Sequence, residues 1–247
     1  MRRQNARRGR WLAFQSLTGR RGVAMGFTLI IGDLHGCFDE LLALLDAARF
    51  GAADRAICVG DLVVKGPKNR EVLDLFMTDA RLQSVMGNHD LALVQSWRGE
   101  PTELTEEQLM ALRELDRSRY IDYLSSLPFY LDLGEQLVVH AGLRPGLPIE
   151  KQKIEDLVSM RTLGPDRTNR QATPWYEVYA GDKFIFFGHW PAAQPRRGPR
   201  ALGLDTGCVY GGLLTGYIIE RDELVAVSGG ARLREMGLCY NDVTRRA

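Results

Sequence analysis

Three times in its first ninety residues the chain runs an apolar stretch into a glycine that is followed at once by a ligand-type side chain. The stretches are FTLIIGD (27–33), RAICVGD (55–61) and RLQSVMGNHD (81–90). A short apolar run reads as a buried strand, and a glycine at its end reads as a sharp turn. Between these runs, FDELLALLDAAR (38–49) and NREVLDLFMTDA (69–80) carry apolar residues at helical spacing, the first with acids toward its start. Three strand–loop–helix units in succession call for an α/β sheet with crossover helices. Such sheets hold ligand-binding groups on loops at the carboxyl ends of their strands. Asp33, Asp61 and Asn88 fall on those loops, so their side chains are expected to converge on one edge. Gly32, Gly60 and Gly87 precede them and are expected to supply the unusual dihedrals that re-aim each following side chain.

Beyond residue 90 the pattern changes twice. Residues 91–128 read as a helical insert beside the sheet, with a threonine and two glutamates opening its middle helix as an N-terminal signal. From 129 strands return. FYLDLG and QLVVHAG read as a hairpin ending at His140, a helix is expected over 150–162, and KFIFFGHW (183–190) reads as a strand into a loop. RALGLDTG, LLTGYIIE and ELVAVSG (200–229) read as a closing antiparallel set.

All four histidines of the chain sit in such loops: His35 in GDLHG, His89 in GNHD, His140 in VVHAG and His189 in FFGHW. One histidine after an apolar run is more often a packed core residue. Four of four, each beside Gly, Asp or Asn, point to a centre for borderline divalent metals, which favour imidazole and carboxylate. Asp33 and His35, two apart in an extended turn, can face one ion, and Asp61 can bridge two ions with one carboxylate oxygen each. Asn88 offers an amide oxygen, and His140 and His189 offer ring nitrogens. Two metals roughly 3.5–4 Å apart can share a hydroxide and clamp phosphoryl oxygens during in-line displacement. His89, next to Asn88, is placed to donate a proton to a leaving oxygen.

Composition bounds the rest. With 45% apolar and 26% charged residues the chain reads as a globular protein. No apolar stretch approaches the roughly 20 residues that span a bilayer, so no membrane partner is expected. Cys37, Cys58, Cys208 and Cys239 show no C-x-x-C spacing and read as reduced thiols of a cytoplasmic protein. The net charge of +1 hides an asymmetry: residues 1–24 hold seven arginines and no acid, which leaves residues 25–247 at −6. That basic segment is expected to be a disordered extension ahead of a domain spanning 25–247. Three readings stay open for it: an upstream extension before Met25, a tail that contacts RNA or another anion, or an organelle-targeting segment.

The five motifs GDLHG, GDLVVKGP, GNHD, VVHAG and FFGHW, in this order, resemble those of the calcineurin-like metallophosphoesterases. Within them they are similar to the branch that holds the phosphoprotein phosphatases and the symmetrical bis(5′-nucleosyl)-tetraphosphatases. The resemblance covers roughly 27–228. It implies a β-sandwich flanked by helices, of which the strand–helix repeat is one half. It also implies a dinuclear centre in which Asp33, His35 and Asp61 hold one ion, and Asp61, Asn88, His140 and His189 the other. Manganese is the first expectation, with iron, cobalt or zinc as alternatives.

Two departures bear on the branch. Phosphoprotein phosphatases carry an Asp-Arg pair where this chain has Val64 and Lys65, so the Asp that orients the catalytic His is missing and another carboxylate would have to serve. The tetraphosphatases also lack it and continue with Gly-Pro, here Gly66-Pro67; GHW and LDTGCVYGGLLT (204–215) agree with them. The resemblance therefore implies hydrolysis of a dinucleoside polyphosphate, diadenosine tetraphosphate giving two ADP, by attack of a metal-bridging hydroxide. Lys65 and Arg161 would neutralise phosphate and His89 would protonate the leaving group. Trp190, Trp175, Tyr176 and Tyr179 are candidates for stacking on a base, with core packing the blander reading of each. Arg196, Arg197 and Arg200 are candidates for facing a polyphosphate, and Asp205 for supporting His189 or forming a turn. The stretch 141–183 is short for a tetraphosphatase. A more open site keeps two alternatives alive: a serine, threonine or tyrosine phosphoprotein phosphatase, and a hydrolase of nucleotide-capped RNA ends.

Overall fold

The computed structural model describes residues 26–166 and 169–229. The arginine-rich segment 1–24 and Cys239 lie outside the described residues. The first sheet is laid down by β1 (Thr28–Ile31), β2 (Arg55–Cys58) and β3 (Leu82–Ser84), joined by α1 (Phe38–Ala47) and α2 (Asn69–Thr78). These strands pair in parallel in the order β1, β2, β3. Two late strands, β9 (Leu213–Ile218) and β10 (Glu223–Ser228), complete the sheet antiparallel on the other side of β1, giving the order β10-β9-β1-β2-β3.

The second sheet contains β4 (Tyr130–Asp132), β5 (Gln136–Val139), β6 (Phe184–Phe187), β7 (Arg196–Gly198) and β8 (Ala201–Gly203), in the order β4-β5-β6-β8-β7. Between β3 and β4 lie α3 (Asn88–Arg98), α4 (Glu106–Leu112) and α5 (Arg117–Ser126), the helical insert expected over 91–128. The side-chain oxygen of Thr105 accepts from the Gln108 amide at the start of α4, as the threonine signal implied.

Strand alternation explains how the layers stack. Successive side chains leave a strand on opposite faces. Ile30, Ile57, Val138, Phe186 and Leu202 point between the sheets and form the inner core. Leu29 and Ile31 point the other way, onto α1, α2 and their neighbours. Val139, Ile185 and Phe187 point outward onto α6 (Ile154–Ser159) and α7 (Trp175–Val178). The result is helix, sheet, sheet, helix: a β-sandwich flanked by helices. Strands buried on both faces need no polar alternation, and their apolar runs have none.

Two expectations are corrected. The closing set over 200–229 is not one antiparallel unit: β8 pairs parallel with β6 and antiparallel with β7 in the second sheet, while β9 and β10 belong to the first. The chain changes sheets at the turn after Asp205, where Oδ1 accepts the Gly207 amide at 3.0 Å. The helix expected over 150–162 is broken into a 3-10 turn at Ile149–Lys151 and the short α6.

Candidate active site

The loops that follow β1, β2, β3, β5 and β6 meet along one rim of the sandwich, so both sheets contribute to a single site. Asp61 lies at its centre, 2% exposed. Its Oδ2 is 3.5 Å from His35 Nε2 and its Oδ1 is 3.5 Å from His140 Nε2. Its Oδ1 also accepts the backbone N–H of His89 at 2.9 Å. Ligand-type atoms of Asp33, Asp61 and His140 fall within 4.8 Å of one another, as do those of His35, Asp61 and His89. Asp61 is common to both groups.

The hydrogen-bonding pattern is short of positive charge. His140 Nδ1 faces the Val59 carbonyl at 2.9 Å, and a carbonyl only accepts, so the ring proton is on Nδ1. His140 Nε2 is then a bare lone pair, yet it faces Asn88 Oδ1 at 3.0 Å as well as Asp61. His189 Nδ1 approaches the same Asn88 oxygen at 2.9 Å, and His189 Nε2 is buried without a partner. His35 repeats the arrangement: Nδ1 meets the Val63 carbonyl at 3.2 Å, leaving Nε2 to face Asp61 and to accept from the Lys65 ammonium at 3.1 Å. Acceptors turned on acceptors without a proton between them are what a cation site leaves, and this donor set of imidazole, carboxylate and amide oxygen fits divalent transition metals.

Electrostatics agree. Burial pushes the Asp33 carboxyl well above its usual range, helped by Asp205 and Asp61. Burial raises Asp61 to about 6, with Lys65 pulling it back. Asp205 is raised to about 6, again mainly by burial. Burial lowers His140 to about 4 against the pull of the Val59 carbonyl, and lowers His89 to about 2 with Lys65 adding to it. His35 and His189 are held well below the usual range by the same desolvation. Neutral imidazoles therefore surround the carboxylates, and Lys65 and Arg161 only partly offset the cost of burying them.

Backbone contacts fix the loops. Asp33 accepts the His189 amide at 3.0 and 3.2 Å, tying the first sheet's loop to the second's. A Cβ on Gly188 would stand 1.9 Å from Asp33 Oδ1, so this close approach requires glycine. Of the three glycines expected to bend the strand ends, only Gly60 has a positive φ, +108°. The ligand-type residues themselves carry the turn: His35 at φ +46°, Asp61 at +52° and His189 at +67°.

Asp90 was absent from the sequence reading, although it ends the GNHD motif. It is fully buried and accepts the amides of Leu62, Val63 and Gly87 at 3.1–3.2 Å, which pins the second motif loop to the third. Its signal was its place three residues after Gly87, where a carboxylate caps α3. No described residue hydrogen-bonds His89 Nδ1, so no carboxylate stands in for the aspartate that Val64 displaces.

Lys65 and Arg161 line a pocket of about 100 Å³ over Asp61, together with Arg170 and Tyr210, which the sequence reading did not single out. Arg161 Nε is buried without a partner, and burial together with Arg170 lowers its guanidinium to about 10. The base-stacking and polyphosphate candidates go elsewhere. Trp190, Trp175, Tyr176 and Tyr179 are buried in the outer aromatic core. The Arg196 guanidinium lies over Trp190 at 4.1 Å and donates to the Trp190 and Pro191 carbonyls, and Arg200 donates to the Asp182 carbonyl. Asp205 forms the turn to Gly207. No helix among the described residues is long and apolar enough to cross a membrane.

Comparison with known proteins gives consistent matches. The family described as calcineurin-like phosphoesterase matches residues 28–226. The asymmetrical bis(5′-nucleosyl)-tetraphosphatase PrpE of Bacillus velezensis is 32% identical over 228 residues, covering 80% of this chain and 91% of the relative. The symmetrical bis(5′-nucleosyl)-tetraphosphatase of Vibrio cholerae is 28% identical over 248 residues, covering 75% and 92%. A crystal structure of a candidate diadenosine tetraphosphatase superposes with a TM-score of 0.74 at 30% identity, covering 85% of this chain and 96% of that one. A serine/threonine phosphatase structure from Saccharomyces cerevisiae, at 17% identity and a TM-score of 0.60, shares the fold.

Proposed function

The chain belongs to the calcineurin-like phosphoesterase family and is a hydrolase, and on that premise we propose that it cleaves dinucleoside polyphosphates, diadenosine tetraphosphate yielding two ADP. The observation that carries the chemistry is the set of nitrogen and oxygen acceptors facing one another around Asp61, beside Lys65 and Arg161. The choice of a nucleotide substrate is supported by relatives of both cleavage types and by Val64 and Lys65, which depart from the phosphoprotein phosphatase pattern.

In this reading Asp33, His35 and Asp61 hold one divalent cation, and Asp61, Asn88, His140 and His189 hold a second. Manganese is first among the candidates, before iron, cobalt or zinc. Two such cations, when bound, supply Lewis acidity toward phosphoryl oxygen and lower the pKa of water. The protein's own part is positioning. Arg161 presents a guanidinium whose Nε has no protein partner, and Lys65 supplies a point charge that can leave His35 for a phosphate oxygen. His89, one residue beyond Asn88, is neutral in the free protein; the negative charge of a bound polyphosphate raises its pKa, so that the imidazolium it forms with substrate can deliver a proton to the departing phosphate oxygen.

Steady-state assays on manganese-loaded protein test the proposal, with diadenosine tetraphosphate and a phosphothreonine peptide as substrates and Asp61→Asn as control. A kcat/KM about a hundredfold higher for the nucleotide is expected, a difference of about 2.7 kcal/mol in transition-state binding. ADP as sole nucleotide product supports symmetrical cleavage; ATP with AMP would place the chain with the asymmetrical relatives. Equal or faster peptide turnover would overturn the nucleotide reading.

A further inference from the structure

Beside the pocket over Asp61 lies a cleft of about 720 Å³ that shares Asn88, Arg161 and His189 with it. That volume is in the range of small-molecule sites. The cleft runs between α3 and α6. Leu91, Phe129 and Val158 give it an apolar lining, while Glu103 and Glu155 are exposed residues on its walls.

The two cavities differ in chemistry. The small pocket carries Lys65, Arg161 and Arg170, which suit phosphate. The cleft shares Arg161 at the side next to the pocket, but its other charged lining residues are carboxylates, which repel a polyphosphate chain and accept hydrogen bonds from N–H groups. A group that fits has a flat apolar face and hydrogen-bond donors at its edge, and it is joined through one intervening phosphate to the phosphate lying over Asp61, since cleavage to two ADP breaks the bond between the two central phosphates. An amine-bearing nucleobase on its ribose meets that description.

We propose that this cleft is the nucleoside subsite, and that Glu103 and Glu155 select bases carrying an exocyclic amine. The proposal rests on the tetraphosphatase reading only for the presence of a nucleotide phosphate over Asp61. The adenine face lies against Phe129 and Leu91, and its 6-amino group donates to the carboxylates. Carboxylates at this position also oppose a longer phosphate chain running into the cleft, so only the linking phosphate lies by Arg161 and the phosphates beyond the scissile bond extend toward Arg170.

Binding calorimetry on the manganese-loaded, full-length His89→Asn protein tests this without turnover. The probes are AMP, purine riboside 5′-monophosphate, which lacks only the amino group, and ribose 5-phosphate. AMP is expected to bind about tenfold tighter than its des-amino analogue, the effect of one hydrogen bond to a charged acceptor. Ribose 5-phosphate is expected to bind weaker still. The double substitution Glu103→Ala/Glu155→Ala, at exposed positions, should abolish the preference and leave ribose 5-phosphate unchanged. Equal binding of AMP and the analogue, or a preference that survives the double substitution, overturns the proposal. If the amine preference holds while diadenosine tetraphosphate is not cleaved, the tetraphosphatase reading alone fails. If the tetraphosphate is cleaved without an amine preference, the cleft assignment alone fails.

Discussion

A residue other than glycine in the left-handed backbone region costs of order 1–3 kcal/mol and persists only where its surroundings hold it there. Among the described residues seven do so, and five of them, His35, Asp61, Val64, Lys65 and His189, stand in the loops around the candidate centre. Val64 is the most demanding because it is β-branched and sits at φ +74°. Its amide is held by Asn69 Oδ1 at 2.9 Å, and that of His35 by the Asp61 carbonyl at 2.6 Å. The motifs place these residues together, and the expected glycine bend holds at Gly60 but not at Gly32 or Gly87. Elsewhere His35, Asp61 and His189 carry the turn themselves, and a histidine or aspartate in this region leaves no mark in a linear pattern. Gly188→Ala should therefore be severe: its Cβ drives into Asp33, and metal content per protein, measured by plasma emission, should fall along with activity while the fold persists by circular dichroism. His89→Asn should lower kcat by about 10²- to 10⁴-fold with little change in KM, the pattern of a lost proton donor. An unchanged kcat would remove His89 from the reaction.

Elements place these residues through strand ends. The parallel order β1-β2-β3 was readable because each apolar run stops at a glycine and a helix follows. The start of α3 was not, because residues 81–90 look like continuous strand until Asp90 is seen to accept the Gly87 amide. Helix α3 begins at Asn88, so its first turn, with its partial positive charge, stands at the site, where it favours an anion such as phosphate. The inner core steadies the strands behind the loops. Phe186 is 1% exposed, touches Phe184 and Tyr217 with ring centroids 5.2 Å away, and lies three residues before His189. Phe186→Ala should cost about 3–5 kcal/mol in urea unfolding. A loss below 1 kcal/mol would mean that the two sheets repack without it.

The whole molecule joins two sheets through one rim, and the division of the chain between them was the least legible feature. Nothing in RALGLDTG and LLTGYIIE says that β8 and β9 part company, since both are short apolar strands and the switch depends on one Asp–Gly turn. The shared site has a consequence for pH. Asp61 titrates near 6 in the folded protein, above its ordinary value, while His140 titrates near 4 and is already neutral at pH 6. Protons therefore compete with metal at the carboxylates rather than at the imidazoles. Manganese affinity should weaken as pH falls through 6, by about tenfold per unit for each carboxylate that must release a proton. Calorimetry across pH 5 to 8 reads this directly, and a plateau already reached at pH 5 would contradict it. The order of donors along the chain also bears on synthesis. Asp33, His35, Asp61 and Asn88 leave the ribosome first, as an oxygen-rich edge suited to hard cations, with one imidazole. His140 and His189 follow, and only with them does the donor set favour a transition metal. On the proposed ligand set, the last-made half of the chain therefore carries the donors that would set the preference for one class of ion over another.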